Sequence, residues 1–160
     1  MQPEILLRVA GPADLDEISS LIGSFRDYLD GDTPTDEAIT KAVETLLGDR
    51  STEFLLAGEP GIGFAQIRYR PSVWTGSDDA WLEDVFVLDR ERGSGIGRML
   101  VEAAIGRARK RGCGRIQLES NAANEPAIAL YESIGFRQSH LPERWGDTPD
   151  VCMTLGLGPA

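Results

Sequence analysis

At 160 residues, 41% apolar and 26% charged, the chain suits one domain with a single sizeable core and has the composition of an ordinary globular protein. Its 16 basic and 26 acidic side chains give a formal net charge of −10, which argues against a nucleic-acid partner and leans toward cationic ligands. No apolar run approaches the ~20 residues needed to span a bilayer, and no basic segment followed by a long apolar run opens the chain. Cys113 and Cys152 fit neither a metal-ligand spacing nor a disulfide framework, so a cytoplasmic protein with reduced thiols, no membrane partner and no metal is expected.

In chain order, residues 5–9 form a short apolar segment suited to an edge strand, punctuated by Gly11 and Pro12. Leu15, Ile18, Leu21, Ile22 and Phe25 follow at helical spacing, with Asp14, Asp16 and Glu17 at the favourable N-terminal end. Residues 26–32 lose that period and read as a loop. A second helix is expected to start with Thr33 as N-cap and Pro34 in the first position, to bury Ile39, Ala42, Val43, Leu46 and Leu47, and to end at Gly48. Residues 52–57 and 62–69 read as a hairpin about the turn 58–61, and residues 71–79 as a loop carrying Trp74. Residues 81–88 form an apolar run of buried-strand length. The apolar stripe Leu100, Val101, Ala104, Ile105 and Ala108 then predicts a helix from about Arg98, with Lys110 and Arg111 at its C-terminus and Gly112 just beyond. Residues 115–119 are the next strand, parallel to 81–88 because a helix connects them. Asn124, Glu125 and Pro126 start a last helix with an inward stripe of Ala127, Ile128, Leu130, Tyr131 and Ile134, a left-handed cap at Gly135 and an apolar Phe136 after it. Residues 137–141 and 151–157 are the final strands, joined by a loop holding Trp145. The fold class is α/β (α+β), with order β-α-α-β-β-β-α-β-α-β-β and no repeat or second domain.

The chemistry concentrates between the strand at 81–88 and the helix after it, in Arg92-Gly93-Ser94-Gly95-Ile96-Gly97-Arg98. Free N–H groups at a helix N-terminus carry partial positive charge, and glycines let an anion approach that backbone closely. Arg92 and Arg98 add full charges at the two rims. The plainer reading is a sharp strand-to-helix turn, but alternating glycines flanked by arginines exceed what a turn requires. A Walker loop fails because Arg98 and Met99, not Lys and Ser/Thr, follow Gly97. A dinucleotide fingerprint fails because the sixth residue from Gly93 is Arg98 and from Gly95 is Leu100.

What remains resembles the Arg/Gln-x-x-Gly-x-Gly/Ala pyrophosphate loop of the GCN5-related N-acetyltransferase (GNAT) family. The segment Asn124-x-x-Ala127-x-x-Leu130-Tyr131-Glu132-x-x-Gly135-Phe136 is similar to a second motif of the same family. The likeness extends from about residue 52 to 155 and implies a mixed central sheet of six to seven strands flanked by about four helices. It implies acetyl-CoA as cosubstrate and acetyl transfer to a primary amine of a small molecule or peptide. A non-catalytic acyl-CoA-binding or sensing module on the same fold is the alternative. By position, the resemblance assigns Arg92 and the N–H groups of Gly93, Ser94, Gly95, Ile96, Gly97 and Arg98 to the pyrophosphate. It gives the backbone of Val85, Phe86 and Val87 to the pantetheine arm, in a splay between the strands 82–88 and 115–119. Asn124 is a polar coenzyme contact and Tyr131 stands beside the sulfur.

Tyr131 is the expected acid for the departing thiolate, or a helix residue with its hydroxyl at a rim. Glu83 shares a strand face with Trp81, Val85 and Val87, which makes it the expected base, or else a strand-end carboxylate paired with an arginine. Asp84 faces the other way. His140, the one histidine, is a proton shuttle or a surface strand residue. Asp27, Tyr28, Asp30 and Asp32 form an acidic stretch that either receives a cationic amine or is solvated. Trp74 and Trp145 border an acceptor pocket or cover the core edge. The acceptor, the oligomeric state (a homodimer being compatible) and the general base stay open.

Overall fold

The computed structural model describes residues 4–139 and 150–158. Their elements are β1 (Leu7–Val9), α1 (Leu15–Tyr28), α2 (Asp36–Leu47), β2 (Thr52–Ala57), β3 (Gly63–Ser72), β4 (Ser77–Val87), α3 (Ile96–Lys110), β5 (Arg115–Asn121), α4 (Glu125–Ile134), β6 (Arg137–Gln138) and β7 (Asp150–Gly156). Short 3-10 turns precede α1 and follow β4. The strands make one mixed sheet in the order β1-β2-β3-β4-β5-β7-β6. The expected order of elements and the α/β fold class are thus observed. His140 and Trp145 lie outside the described residues, as does the end of the strand expected at 137–141.

Two compact units are distinguishable: Met1–Arg68 with Asp84–Ala104, and Tyr69–Glu83 with Ile105–Ala160. The boundaries fall inside β3, β4 and α3.

In the first unit, β2 pairs antiparallel with both β1 and β3, Leu55 opposing Val9 on one side and Ala65 on the other. Ile18 and Leu21 of α1, Ile39 and Val43 of α2, and Phe54, Leu56, Phe64 and Phe86 of the strands form one buried cluster. At about 25 cal/mol per Å² of apolar area, each such side chain contributes about 1.5–3 kcal/mol. Of the expected α2 stripe, Ile39 and Val43 are buried, Leu46 and Leu47 half-buried, and Ala42 exposed. Gly63 is tied to β4: a Cβ there would stand 2.9 Å from the Phe86 carbonyl oxygen, so only glycine fits.

The N-terminal edge is held by charge. Arg8 donates from both terminal nitrogens to Asp14, each at 2.7 Å, and the Gly11 N–H donates to the same carboxylate at 2.8 Å. These donors, the Arg8 guanidinium first, lower the Asp14 carboxyl from 3.8 to about 2. Because the folded value is depressed, the stability it contributes is present above pH ~4 and lost as pH falls toward ~2. With Arg8 partly in solvent the expected size is on the order of 1 kcal/mol. Asp14→Asn should therefore flatten the acid-unfolding curve between about pH 4 and pH 2, followed by circular dichroism. An unchanged curve would remove this pair from the acid response.

Two boundaries differ from expectation here. Helix α1 runs through residues 26–28 to Tyr28 rather than stopping at Phe25. Helix α2 is capped by Thr35, not Thr33: the Thr35 hydroxyl accepts from the Ala38 N–H at 3.2 Å. Arg26 decides both. It donates to the Pro34 carbonyl at 2.8 Å and pairs with Asp36 at 2.8 Å and Asp27 at 2.9 Å. Those contacts keep Pro34 outside the helix and carry α1 on.

In the second unit β5 pairs antiparallel with β7 over seven positions, from Arg115↔Gly156 to Asn121↔Asp150. The parallel ladder of β4 with β5 comprises Ala80↔Ile116 and Trp81↔Gln117, and both strands run on past it. The loop expected at 71–79 is mostly strand, with only Val73–Gly76 turning. The reason is a buried charge: Asp79 is 3% exposed, accepts from Arg115 Nε at 2.7 Å and from the Thr75 hydroxyl at 2.8 Å. Arg111 pairs with Asp78 at 3.4 Å and stacks on Tyr69. No helix among the described residues is long and apolar enough to cross a membrane.

Candidate functional site

The turn after β4 is built from local bonds. Glu91 N–H donates to Leu88 O and Arg92 N–H to Asp89 O, closing the 3-10 turn. The Ser94 hydroxyl donates to Glu91 O at 2.7 Å and ties the loop back onto it. Gly93 and Gly95 take φ of +80° and +87°, left-handed values that a side chain would strain. Helix α3 then starts at Ile96, two residues before the expected Arg98, because buried Ile96 already faces the core. Its ladder opens with Met99 N–H donating to Gly95 O, so the amides of Ile96 and Gly97 precede the first intrahelical bond.

The space in front of this loop is open. A Cβ added at Gly93 or at Gly95 would meet nothing within 4 Å. Positive-φ glycines, leading amides of a 15-residue helix and an open approach are what a phosphate requires of a backbone cradle. The residues present therefore fit a diphosphate.

The two flanking arginines are held differently. Arg98 pairs one turn along α3 with Glu102 at 3.0 Å. Arg92 donates Nε–H to the Val87 carbonyl at 3.0 Å and lies over the Tyr28 ring, its guanidinium carbon 4.1 Å from the ring centre. Asp89 comes only to 3.9 Å, beyond hydrogen-bond distance.

On β4, Phe86 is core: it stacks on Phe25 at 4.9 Å and lies 6.3 Å from Phe64. Alternation puts Val85, half-buried, and Val87, buried, on the opposite face. Of the three strand residues, only Val85 and Val87 present side chains away from that core; Phe86 has its backbone alone to offer.

In the second unit Glu83 is an exposed strand residue. Asn124 is the N-cap of α4, and its side-chain oxygen accepts from the Ala127 N–H at 3.3 Å. Its amide NH2 takes no part in that cap bond. Tyr131 is half-buried and meets Phe136 edge-on at 5.9 Å. Gly135 takes φ +119° and closes α4 as expected, and Phe136 is buried beyond it. The stripe of α4 has no fully buried residue: Ala127, Ile128, Leu130, Tyr131 and Ile134 are all half-exposed.

The acidic stretch after Phe25 is less available than the sequence implies. Asp27 is engaged by Arg26, and Tyr28 already faces a cation, Arg92. Asp27 and Asp36 line an open cleft of about 380 Å³ along α1 and α2, with Arg26 between them. Sequence reading missed the Tyr28–Arg92 stack, and no local spacing signals it, since the two are 64 positions apart. Trp74, 87% exposed at the β3–β4 turn, covers no core.

The chain is similar to several known acetyltransferases. Streptothricin acetyltransferase of Streptomyces lavendulae is 40% identical over 88 residues, 54% of this chain and 44% of that protein. The ribosomal protein bS18 alanine N-acetyltransferase of Escherichia coli K12 is 38% identical over 73 residues, 46% of this chain and 49% of that one. The matched segments thus span about half the length of these curated relatives. A crystal structure of a candidate acetyltransferase from Arthrobacter sp. FB24 superposes with a TM-score of 0.79 at 28% identity, covering 93% of this chain and 94% of that one. The sequence profile described as "Acetyltransferase (GNAT) family" matches residues 18–136, most of the chain, including the glycine loop and all of α4, and the protein belongs to that family.

Proposed function

We propose that the chain, as one domain of residues 1–160, is an acetyl-CoA-dependent N-acetyltransferase acting on a primary amine of a small molecule or peptide. The observation that carries this reading is the open cradle at the N-terminus of α3, where two positive-φ glycines leave room for a diphosphate. Family membership supports acetyl-CoA as the owner of that diphosphate.

In this reading Arg92 and the amides of Gly93, Ser94, Gly95, Ile96, Gly97 and Arg98 hold the diphosphate. The backbone of Val85 and Val87 is assigned to the pantetheine amides. The short β4–β5 ladder, with both strands continuing past it, supports that role. Asn124 contributes its amide NH2.

The amine nitrogen attacks the thioester carbon, the C–S bond breaks, and the nitrogen loses a proton while the sulfur gains one. An alkylamine with pKa ~10 is mostly protonated at neutral pH, so a base must take its proton first. Glu83, exposed on β4, is assigned that role directly or through water. Tyr131 protonates the thiolate. A backbone N–H of β4, that of Val85, stabilises the oxyanion. Holding both reactants in line supplies the remainder.

The proposal includes a cytoplasmic location, no nucleic-acid or membrane partner, and a homodimer as a compatible state. Release of free thiol from acetyl-CoA should be seen with at least one member of a panel of polyamines, amino acids, aminoglycosides, streptothricin-type antibiotics and peptide N-termini. Tight acetyl-CoA binding with no thiol release across the panel would return the chain to the non-catalytic binding module.

A further inference from the structure

We propose that Tyr28, at the end of α1, is a positioning residue for the coenzyme's diphosphate, acting through the face of the Arg92 guanidinium. The inference rests on the acetyl-CoA reading above and adds a residue outside both family motifs.

An arginine on a glycine-rich turn has many rotamers, and immobilising it on ligand binding costs affinity. Arg92 is already immobilised. Its Nε–H is spent on the Val87 carbonyl at 3.0 Å. Its plane is set by Tyr28, 4.1 Å from guanidinium carbon to ring centre, with the Phe86 ring 5.5 Å away on the same cation. Phe86 in turn is fixed by Phe25 and Phe64. The chain of contacts therefore runs from the core of the first unit to one cation beside the cradle.

The chemistry of the clamp matters as much as its geometry. Arg26, in the same unit, is held by carboxylates at 2.8 and 2.9 Å, so its charge is consumed inside the fold. Arg92 is held by a carbonyl and aromatic faces, which are neutral, and the Asp89 carboxylate stays at 3.9 Å. A neutral clamp orients the cation without cancelling its charge, and leaves the terminal N–H groups to pair with phosphate oxygens. Burial does not account for Tyr28, since the side chain is 55% exposed and approaches Phe86 only to 6.2 Å.

The test is a double-mutant cycle on acetyl-CoA affinity, measured by isothermal titration with folding checked by circular dichroism. Tyr28→Leu keeps apolar bulk but removes the π face, and should raise Kd about three- to fivefold. Tyr28→Phe keeps the face and should restore Kd to within about twofold of the starting protein. In the Arg92→Ala background, Tyr28→Leu should have no further effect, because the group it orients is gone. An equal loss in both backgrounds, or no loss from Tyr28→Leu while Arg92→Ala weakens binding, overturns the positioning role and leaves the coenzyme reading intact. Failure of the unaltered protein to bind acetyl-CoA overturns the coenzyme reading itself.

Discussion

Gly95→Asp should weaken acetyl-CoA binding by about 100-fold or more, and Arg92→Ala by about 10- to 100-fold, with the fold retained in both. Gly95 has φ +87° and open space in front of it, so a side chain there is strained and projects into the region assigned to the diphosphate. A carboxylate about 4 Å from a phosphate costs about 4 kcal/mol at an effective dielectric of 20. Arg92→Ala removes a charge-assisted donor, generally a contribution of about 1.5–3 kcal/mol. Nothing packs within 4 Å of the Gly95 position, so the stability cost is the left-handed backbone strain alone, about 1–2 kcal/mol, and a melting temperature lower by only a few degrees is expected. Titration of both variants checks the result, and undiminished affinity in both would dismiss the loop as the coenzyme site.

Tyr131→Phe should lower kcat about 100-fold or more while leaving the Kd for acetyl-CoA within about twofold. The hydroxyl is the only atom removed, and the ring contact with Phe136 at 5.9 Å is retained, so α4 keeps its packing. A general acid needed only as sulfur departs contributes to the transition state and not to the bound ground state. Thiol-release kinetics beside a binding titration separate the two quantities. Equal losses in kcat and affinity would make Tyr131 a binding residue, and no loss in either would leave the thiolate to be protonated by solvent.

The glycine loop and α4 were legible in the sequence because their determinants are local. A positive φ demands glycine at 93, 95 and 135, and the Asn124 cap reaches only three residues, to Ala127. The apolar stripe of α3 was equally plain, since Leu100, Val101, Ala104, Ile105 and Ala108 are all buried. Where the reading missed, the deciding partner was distant. Ser77 to Asp79 reads as a loop because it carries two aspartates, and becomes strand because Arg111 and Arg115, 33 and 36 positions on, take those charges. Thr33 and Thr35 both precede Asp36 at cap-like spacing, and Arg26 on the preceding helix selects Thr35 by holding Pro34 and Asp36.

For this protein, sequence alone determined the family, the order of elements and the glycine turn before α3, because backbone conformation and capping depend on neighbours a few residues apart. Tertiary structure decided how the charges are used: Arg26 and Arg115 are paired to carboxylates within the fold, while Arg92 is oriented by the Tyr28 ring and the Val87 carbonyl. Such pairings depend on distances between side chains far apart along the chain, and no local pattern of residues encodes them.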